Sequence, residues 1–395
     1  MDPDELRRAL VERLIALRAA RSPAVVRALS SVPRHLFLPE IPAELAYADR
    51  PIALMIEDGV TISSASQPSM IAEMLEQLGV RRGDRVLEIG TGSGYTAALL
   101  AHLCGTDGSV VTIELDPLLV ERARRALRTA GFDRVRVLLG DGAGGVPDYA
   151  PFDRIILTVA ADDILEPWRT QLVSGGRLVL PLTLRALQES IAFEGSDPLY
   201  SVSIVGASFV TLRGARAVAP HEVDLESTPG IRLRVGDPAR LDVAALSQYL
   251  KAEPAFVELG EIQIDDLWSG LDVWLDAHLE DAGVATAIGG GTAACVDEWL
   301  SVVDDEPRYA TTFVLCRESA IGFFVRNRRR VGIASYGDAA GLIDRARAAI
   351  ARWIERGKPP NSVLKVSAHA RTSPPPVDAL ITKPSVTLAL RWTRR

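Results

Sequence analysis

DRVLEIGTGSGYTAALLA, residues 84 to 101, is the stretch on which the fold turns. Val86, Leu87 and Ile89 surround Glu88, glycine then recurs at 90, 92 and 94, and an apolar helix-forming run follows. A strand that breaks on alternating glycines before a helix is a tight turn, where backbone approaches a ligand without interference from Cβ. Dinucleotide loops favour G-x-G-x-x-G, with the pyrophosphate on the helix N-terminus. This loop is E-x-G-x-G-x-G, and Glu88 would sit poorly beside a pyrophosphate. An acid there suits a cation instead. S-adenosylmethionine has no phosphate, and its sulfonium and amino group are attracted by carboxylates.

Reading outward, strand and helix patterns alternate: SVVTIEL, PLLVERARRALRTAG, RVRVLLGD, RIILTVAA, DDILEPWRTQL, RLVLPL. Short, continuously apolar strands between amphipathic helices are what a parallel sheet covered on both faces requires. The expected class is α/β, a doubly wound Rossmann-like domain over residues 1 to 218 that takes S-adenosylmethionine. Glu114 ends the second strand, beside Leu115, and is placed to accept hydrogen bonds from ribose hydroxyls. Asp141 ends the next, before Gly142, where a carboxylate could take an adenine amino group or cap the following turn. From Glu189 the strands ESIAFEG and LYSVSIVGASFVTLRG lie close together and read as an antiparallel ribbon that finishes the sheet near Gly214.

Residues 219 to 230, with two prolines and no apolar period, read as a linker. The remainder, 231 to 395, mixes helices with a meander of TTFVLCRE, AIGFFVRN and RVGIASYG and a last strand SVTLALRW, and is expected to be a smaller α+β domain with its own core. GGG at 289 to 291 reads as a loop.

Composition narrows the function. At 395 residues, 48% hydrophobic and 24% charged, the chain is an ordinary globular protein of two domains. Its longest apolar runs are too short to span a bilayer, and MDPDELRRALVERL does not have the basic-then-apolar layout of a secretory signal, so a cytoplasmic location is expected. Cys104, Cys295 and Cys316 form no CxxC pair, so neither a disulfide framework nor a metal site is expected. A net charge of −7 opposes binding to nucleic acid, and the basic RNRRR at 326 to 330 is short enough to be a hairpin edge. The oligomeric state is not legible.

Shortly before the glycine loop lies GVTISSASQPSMIAEML, residues 59 to 75, with four serines between Ser63 and Ser69. Ser66 before Gln67 and Pro68 could cap the helix that follows. Equally, its hydroxyl could face whatever the cofactor reacts with.

VPRHLFLPE (32 to 40), AYADRP (46 to 51), SQP (66 to 68), the glycine loop, GDG (140 to 142), APFDRIILTVAA (150 to 161) and GGRLVLPL, with Gln188 and Glu189 after it, follow one another in the order of the protein-L-isoaspartate O-methyltransferase family. Residues 1 to 214 resemble that family. The resemblance implies a fold of class I methyltransferases, with Glu88, Gly90, Thr91, Gly92, Gly94, Glu114, Leu115, Asp141 and Gly142 on the cofactor. It implies an acceptor carboxylate in a peptide or protein contacted by Ser66, with Ser63, Ser64 and Gln67 nearby, Val159 and Ala160 offering backbone contacts, and Gln188 lining the same cleft. S-adenosylhomocysteine would be the product. Two departures, the apparent insert Ser63–Ala65 and the long C-terminal part, resemble extended relatives that tailor ribosomally made peptides such as lanthipeptides and graspetides through an aspartimide. Repair of isoaspartyl residues is the alternative; an NAD-dependent oxidoreductase and a non-catalytic SAM-binding module are remoter ones.

The expected chemistry needs no general base, because a carboxyl group is already ionised at neutral pH. The protein has to supply alignment and a dry approach. Hydroxyls and backbone N–H groups hold a carboxylate without a permanent charge that would over-stabilise its ground state. Methoxide leaves more easily than hydroxide, so the next backbone nitrogen can close a succinimide.

Overall fold

The computed structural model describes residues 2–57, 60–216, 222–226, 230–288, 301–303, 309–327 and 330–393. Cys295, GGG at 289–291, the middle of RNRRR and parts of the expected linker lie outside them.

Two helices open the chain, Pro3–Ala16 capped by Asp2 and Pro23–Ser31 capped by Ser22, each with proline in its first turn. An antiparallel hairpin follows, β1 (Ile52–Glu57) with β2 (Val60–Ala65). The serine stretch therefore begins as a strand, with Ser63 opposite Met55 and Ser64 opposite Ala53. Next come β3 (Arg85–Ile89), β4 (Ser109–Glu114), β5 (Arg136–Leu139), β6 (Phe152–Leu157) and β7 (Leu172–Thr183), parallel in the order β7-β6-β3-β4-β5. Helices Tyr95–Cys104 and Pro117–Thr129 link the central strands; the second turns Leu119, Val120, Ala123, Ala126 and Leu127 inward. Where a helix was expected over DDILEPWRTQL, one short helix forms, Glu166–Thr170. β8 (Gln188–Gly195) and β9 (Leu199–Ala207) then add antiparallel strands. This is the doubly wound sheet that the alternating pattern requires.

Beyond β9 the organisation departs from the sequence reading. β10 (Glu222–Leu225) falls inside the expected linker, yet pairs with β11 (Gly230–Val235). Leu225 and Val223 face Ile231 and Leu233, and Asp224 and Glu222 lie opposite Arg232 and Arg234, with Arg232 Nε 2.6 Å from Asp224. Four residues are too few for alternation to stand out, so the cross-strand partners define this strand. With β12 (Ala255–Gln263), β13 (Ala282–Ile288), β14 (Ser301–Val303), β15 (Tyr309–Arg317), β16 (Ala320–Asn327) and β17 (Arg330–Tyr336) these form a second, antiparallel sheet; β15, β16 and β17 are the expected meander.

The last strands leave that sheet. β18 (Leu364–His369), β19 (Ala379–Thr382) and β20 (Thr387–Trp392) extend the first sheet in the order β19-β20-β18-β9. Ser367 and Ala368 pair with Tyr200 and Leu199, and Ser201 Oγ accepts from Val366 N–H at 2.8 Å. SVTLALRW thus belongs to the first sheet, and the sequence boundary at residue 231 does not separate two sheets. The reason is physical: β9 carries a row of backbone donors and acceptors that needs a partner strand. One apolar core runs from Leu87, Ile155 and Leu180 through Trp168 to Trp274, Trp353 and Leu388, joining the two parts; a smaller one, around Leu233, Val314 and Phe323, belongs to the second sheet.

Candidate functional site

The carboxyl ends of β3, β4 and β6 open onto a solvent-connected cavity. This is where open α/β sheets bind ligands. One side of it is the glycine loop. Gly90, Gly92 and Gly94 all have positive φ, at 99°, 52° and 87°. A Cβ on Gly90 would stand 2.9 Å from Thr158 Oγ1, so both the backbone conformation and the space require glycine there. Glu114 closes the rim: its carboxylate accepts from Gly92 N–H at 2.9 Å and from Leu115 N–H at 2.9 Å. Thr91, Leu115 and Gly142 also line the cavity, while Gly94, in the left-handed conformation, is the N-cap of Tyr95–Cys104, and a Cβ on it would stand 3.3 Å from that of Ala123.

Glu88 lies beneath the loop and not on the cavity wall. It is fully buried; Thr112 Oγ1 donates to its Oε2 at 2.7 Å, and Thr112 in turn meets Thr91 Oγ1 at 2.6 Å. Oε1 has no hydrogen-bond partner in the protein. Burial pushes this carboxyl up to about 8, against the pull of the Thr112 hydrogen bond and with the Glu114 charge adding. The expected direct contact between Glu88 and a cationic ligand is replaced by a relay, Glu88–Thr112–Thr91, whose end is in the cavity. A cation in the cavity favours the ionised form of such an acid, so the buried carboxyl fits the proposed cofactor through its field.

Asp141 is likewise held back. Its Oδ1 accepts from Ala143 N–H at 2.9 Å and its Oδ2 from Ala215 N–H at 2.7 Å. Of the two expectations, capping is the one its hydrogen bonds follow, and the same carboxylate ties down the chain at residue 215.

Ser63, Ser64, Ala65 and Ser66 line the same cavity, together with Thr158, Val159 and residues 210–213. Ser66 does not cap the helix Pro68–Leu78. The N-cap position is Gln67, which makes no side-chain capping bond, and Asp49 takes the Ser69 N–H at 2.9 Å instead. What fixes Ser66 is Arg34, which is 1% exposed. The guanidinium donates from Nε to Ala46 O at 2.9 Å and from Nη2 to Ser66 O at 3.0 Å, and lies 4.9 Å from the Tyr95 ring centroid.

Two residues expected on the acceptor side do other work. Ala160 donates its N–H to Val210 O and accepts from Leu212 N–H, both at 2.8 Å, so its backbone holds the wall and is not offered to a peptide. Gln188 is buried; its Oε1 accepts from Phe209 N–H at 2.7 Å and its Nε2 donates to Phe209 O at 3.3 Å. It brackets the segment 209–213 from behind and does not line the cavity.

Neither that segment, which the sequence presents as the end of a strand although β9 stops at Ala207, nor Arg34 is singled out by the sequence pattern. Arg34 and Arg213 both reach the cavity lining, so the acceptor side carries permanent charge after all. A signal for Arg34 existed: it lies in VPRHLFLPE, one of the stretches that carry the family resemblance. Among the described residues no group of acids, histidines and cysteines could hold a metal ion, and no helix is long and apolar enough to cross a membrane.

Comparison with known proteins agrees with this geometry. Residues 5–217 match the model of the family described as Protein-L-isoaspartate(D-aspartate) O-methyltransferase (PCMT). Protein-L-isoaspartate O-methyltransferase 1 of Archaeoglobus fulgidus is 47% identical over 222 residues, 56% of this chain and 100% of the relative. The protein-L-isoaspartate O-methyltransferase of Ignicoccus hospitalis is 47% identical over 179 residues, 45% of this chain and 82% of that protein. A solved structure named protein-L-isoaspartate O-methyltransferase superposes with a TM-score of 0.52 at 24% identity, covering 91% of this chain and 96% of its own; at that identity the likeness is one of fold.

Proposed function

Since this chain belongs to the protein-L-isoaspartate(D-aspartate) O-methyltransferase family, we propose that its acceptor is the free carboxylate of an isoaspartyl residue in a peptide or protein, held at Ser66. The chain is a SAM-dependent methyltransferase. When bound, S-adenosylmethionine supplies an electrophilic methyl group. The observation that carries the reading is that one cavity is lined both by the glycine loop with Glu114 and Leu115 and by the serines at 63, 64 and 66, Thr158, Val159 and residues 210–213.

The bare backbone of Gly90 and Gly92 lets a ligand approach closely, and the Glu114 carboxylate is the acceptor for hydroxyl donors on that side. Opposite, the Ser66 hydroxyl is not committed to capping its own helix, which suits it to donate to a carboxylate. Arg34 sets the Ser66 backbone and Arg213 adds positive charge where an anion must arrive. Val159, Val210 and Leu212 keep water from the approach. No side chain here has to take a proton, because the acceptor is already ionised.

A second reading, tailoring of a dedicated precursor peptide at a normal aspartate, is favoured by the serine-rich edge: Ser63, Ser64 and Ser66 all line the cavity. The C-terminal part does not favour it, because a fold covering 91% of this chain also occurs in the solved structure named above. One experiment separates the readings. A peptide is offered with isoaspartate and, separately, with aspartate at one position, and mass spectrometry follows the gain of one methylene and the later loss of methanol. Methylation of the isoaspartyl form alone is the expected outcome; methylation of the aspartyl form alone would transfer the protein to the second reading.

A further inference from the structure

The turn between β7 and β8 stands at the carboxyl end of the sheet, on the same side as the cavity, and its Leu184 and Ala186 are fully buried. A buried turn needs partners for its backbone. Those partners come from Asp276, in the helix Asp272–His278, far outside the residues matched to the family. Asp276 is itself fully buried; its Oδ2 accepts from Arg185 N–H at 3.0 Å, its Oδ1 from Ala186 N–H at 2.9 Å and Leu187 N–H at 3.4 Å. The next residue is Gln188, whose amide brackets Phe209 on both backbone groups. The chain after Phe209 is the acceptor wall, Val210–Arg213, clamped in turn to Ala160. A second tie comes from the loop between β19 and β20: Ser385 N–H donates to Asp163 Oδ2 at 2.7 Å, four residues beyond Val159.

We propose that Asp276 is a positioning residue for methyl transfer: by holding the turn at 185–187 it sets Gln188, and through Gln188 the wall that the acceptor peptide meets. The C-terminal part is then a buttress of the acceptor side, and the cofactor side does not depend on it. Among the described contacts, residues beyond 216 bond directly neither to Glu114 and the glycine loop nor to residues 210–213; the ties of Asp276 go to residues 185–187, which precede Gln188, and that of Ser385 to Asp163, which follows the loop at 158–159. The proposal rests on the placement of the acceptor given above.

Asp276→Asn tests it in the full-length protein, because one of the two acceptor oxygens becomes an NH2 that faces an N–H donor. We expect KM for an isoaspartyl peptide to rise about tenfold or more, with the affinity for S-adenosylhomocysteine changed less than about twofold. Gln188→Met should give the same peptide defect, and the double variant should be no worse than either alone. Additive defects, or equal losses of peptide and cofactor affinity, would overturn the coupling. A readout independent of turnover is amide hydrogen exchange: Asp276→Asn should speed exchange at Phe209 and Leu212 and leave Gly92 unchanged. Unaltered protection at Phe209 and Leu212 would also sink the proposal. Exchange that changes as expected in a protein inert toward isoaspartyl peptides would keep the positioning role and remove the acceptor reading instead. If Asp276→Asn does not fold, Asp276→Glu keeps the charge, shifts the carboxylate by one methylene and carries the same measurements.

Discussion

The two sides of the cavity are built in opposite ways. The cofactor side comes from one short length of chain: β3, the glycine loop and the end of β4 lie within residues 85–115, and their bonds to one another are local. The acceptor side is gathered from the hairpin at Ser63–Ser66, the loop at Thr158–Val159 and the segment Val210–Arg213, with Arg34, Gln188 and Asp276 behind it. A locally encoded half tolerates change elsewhere in the molecule, and a half assembled from distant pieces registers it.

The most severe way to break this comparison is to end the chain after Arg216, which keeps the Asp141 to Ala215 bond. That removes β18–β20 and bares Leu180, Leu184 and Leu199, all fully buried in the shared core. The expected outcome is an aggregating product with no cooperative thermal transition; a soluble fragment that binds SAM as the whole chain does would show that the cofactor side stands alone. Next in size is Glu114→Ala. It deletes the acceptor of the Gly92 and Leu115 N–H bonds and a candidate charged bond to the ligand, each removal worth about 1.5–3 kcal/mol, so calorimetry should find SAM binding weakened tenfold or more while the fold persists. Ser66→Ala should show the complementary split, with turnover down about tenfold and SAM affinity and melting temperature almost unchanged. Asp49→Ala, which deletes the bond to Ser69 N–H, should lower stability by about 1 kcal/mol, and the Ser66 variant should not.

The last test is a pH dependence. Burial pushes Glu189 up to about 8, with Asp272 and Asp276 adding to the rise. Its folded value lies above its ordinary 4.5, so its contribution to stability is fully present below that value and fades as the pH rises toward 8. Glu189→Gln, which resembles the protonated form, should melt higher than the parent at pH 8.5 and nearly alike at pH 4. An identical pH profile in both proteins would mean that Glu189 keeps its ordinary titration.

What could be read in the sequence follows the same division. Glycines at 90, 92 and 94 and the acid at 114 were visible because a strand, a loop and a helix state their geometry within a few residues. Glu88 was visible as an acid but not as a buried one: the pattern E-x-G-x-G-x-G does not tell which way a side chain points from a strand covered on both faces. Asp141 could be narrowed to two roles, and its bond to Ala215, across 74 positions, lay beyond local reasoning. Gln188 and Ala160 were identified as part of the acceptor region, but their backbone partners at 209–212 belong to a stretch without period. The alternation of SVTLALRW announces a strand and is silent about its neighbour, since pairing is decided between segments distant in sequence.

The sheet's outer strands impose an order on its completion. β9 is made before residue 210, and its partner β18 only after residue 364, with the whole second sheet between them. During synthesis the growing protein therefore carries an exposed strand edge through more than a third of its translation, the kind of edge that recruits strands from other chains. The early strands are joined by short connections and the closing ones across a long loop, which slows the final step by loop-closure entropy. Slow synonymous codons or a trigger-factor-like chaperone acting between these two points would change the yield of soluble protein without altering a single side chain.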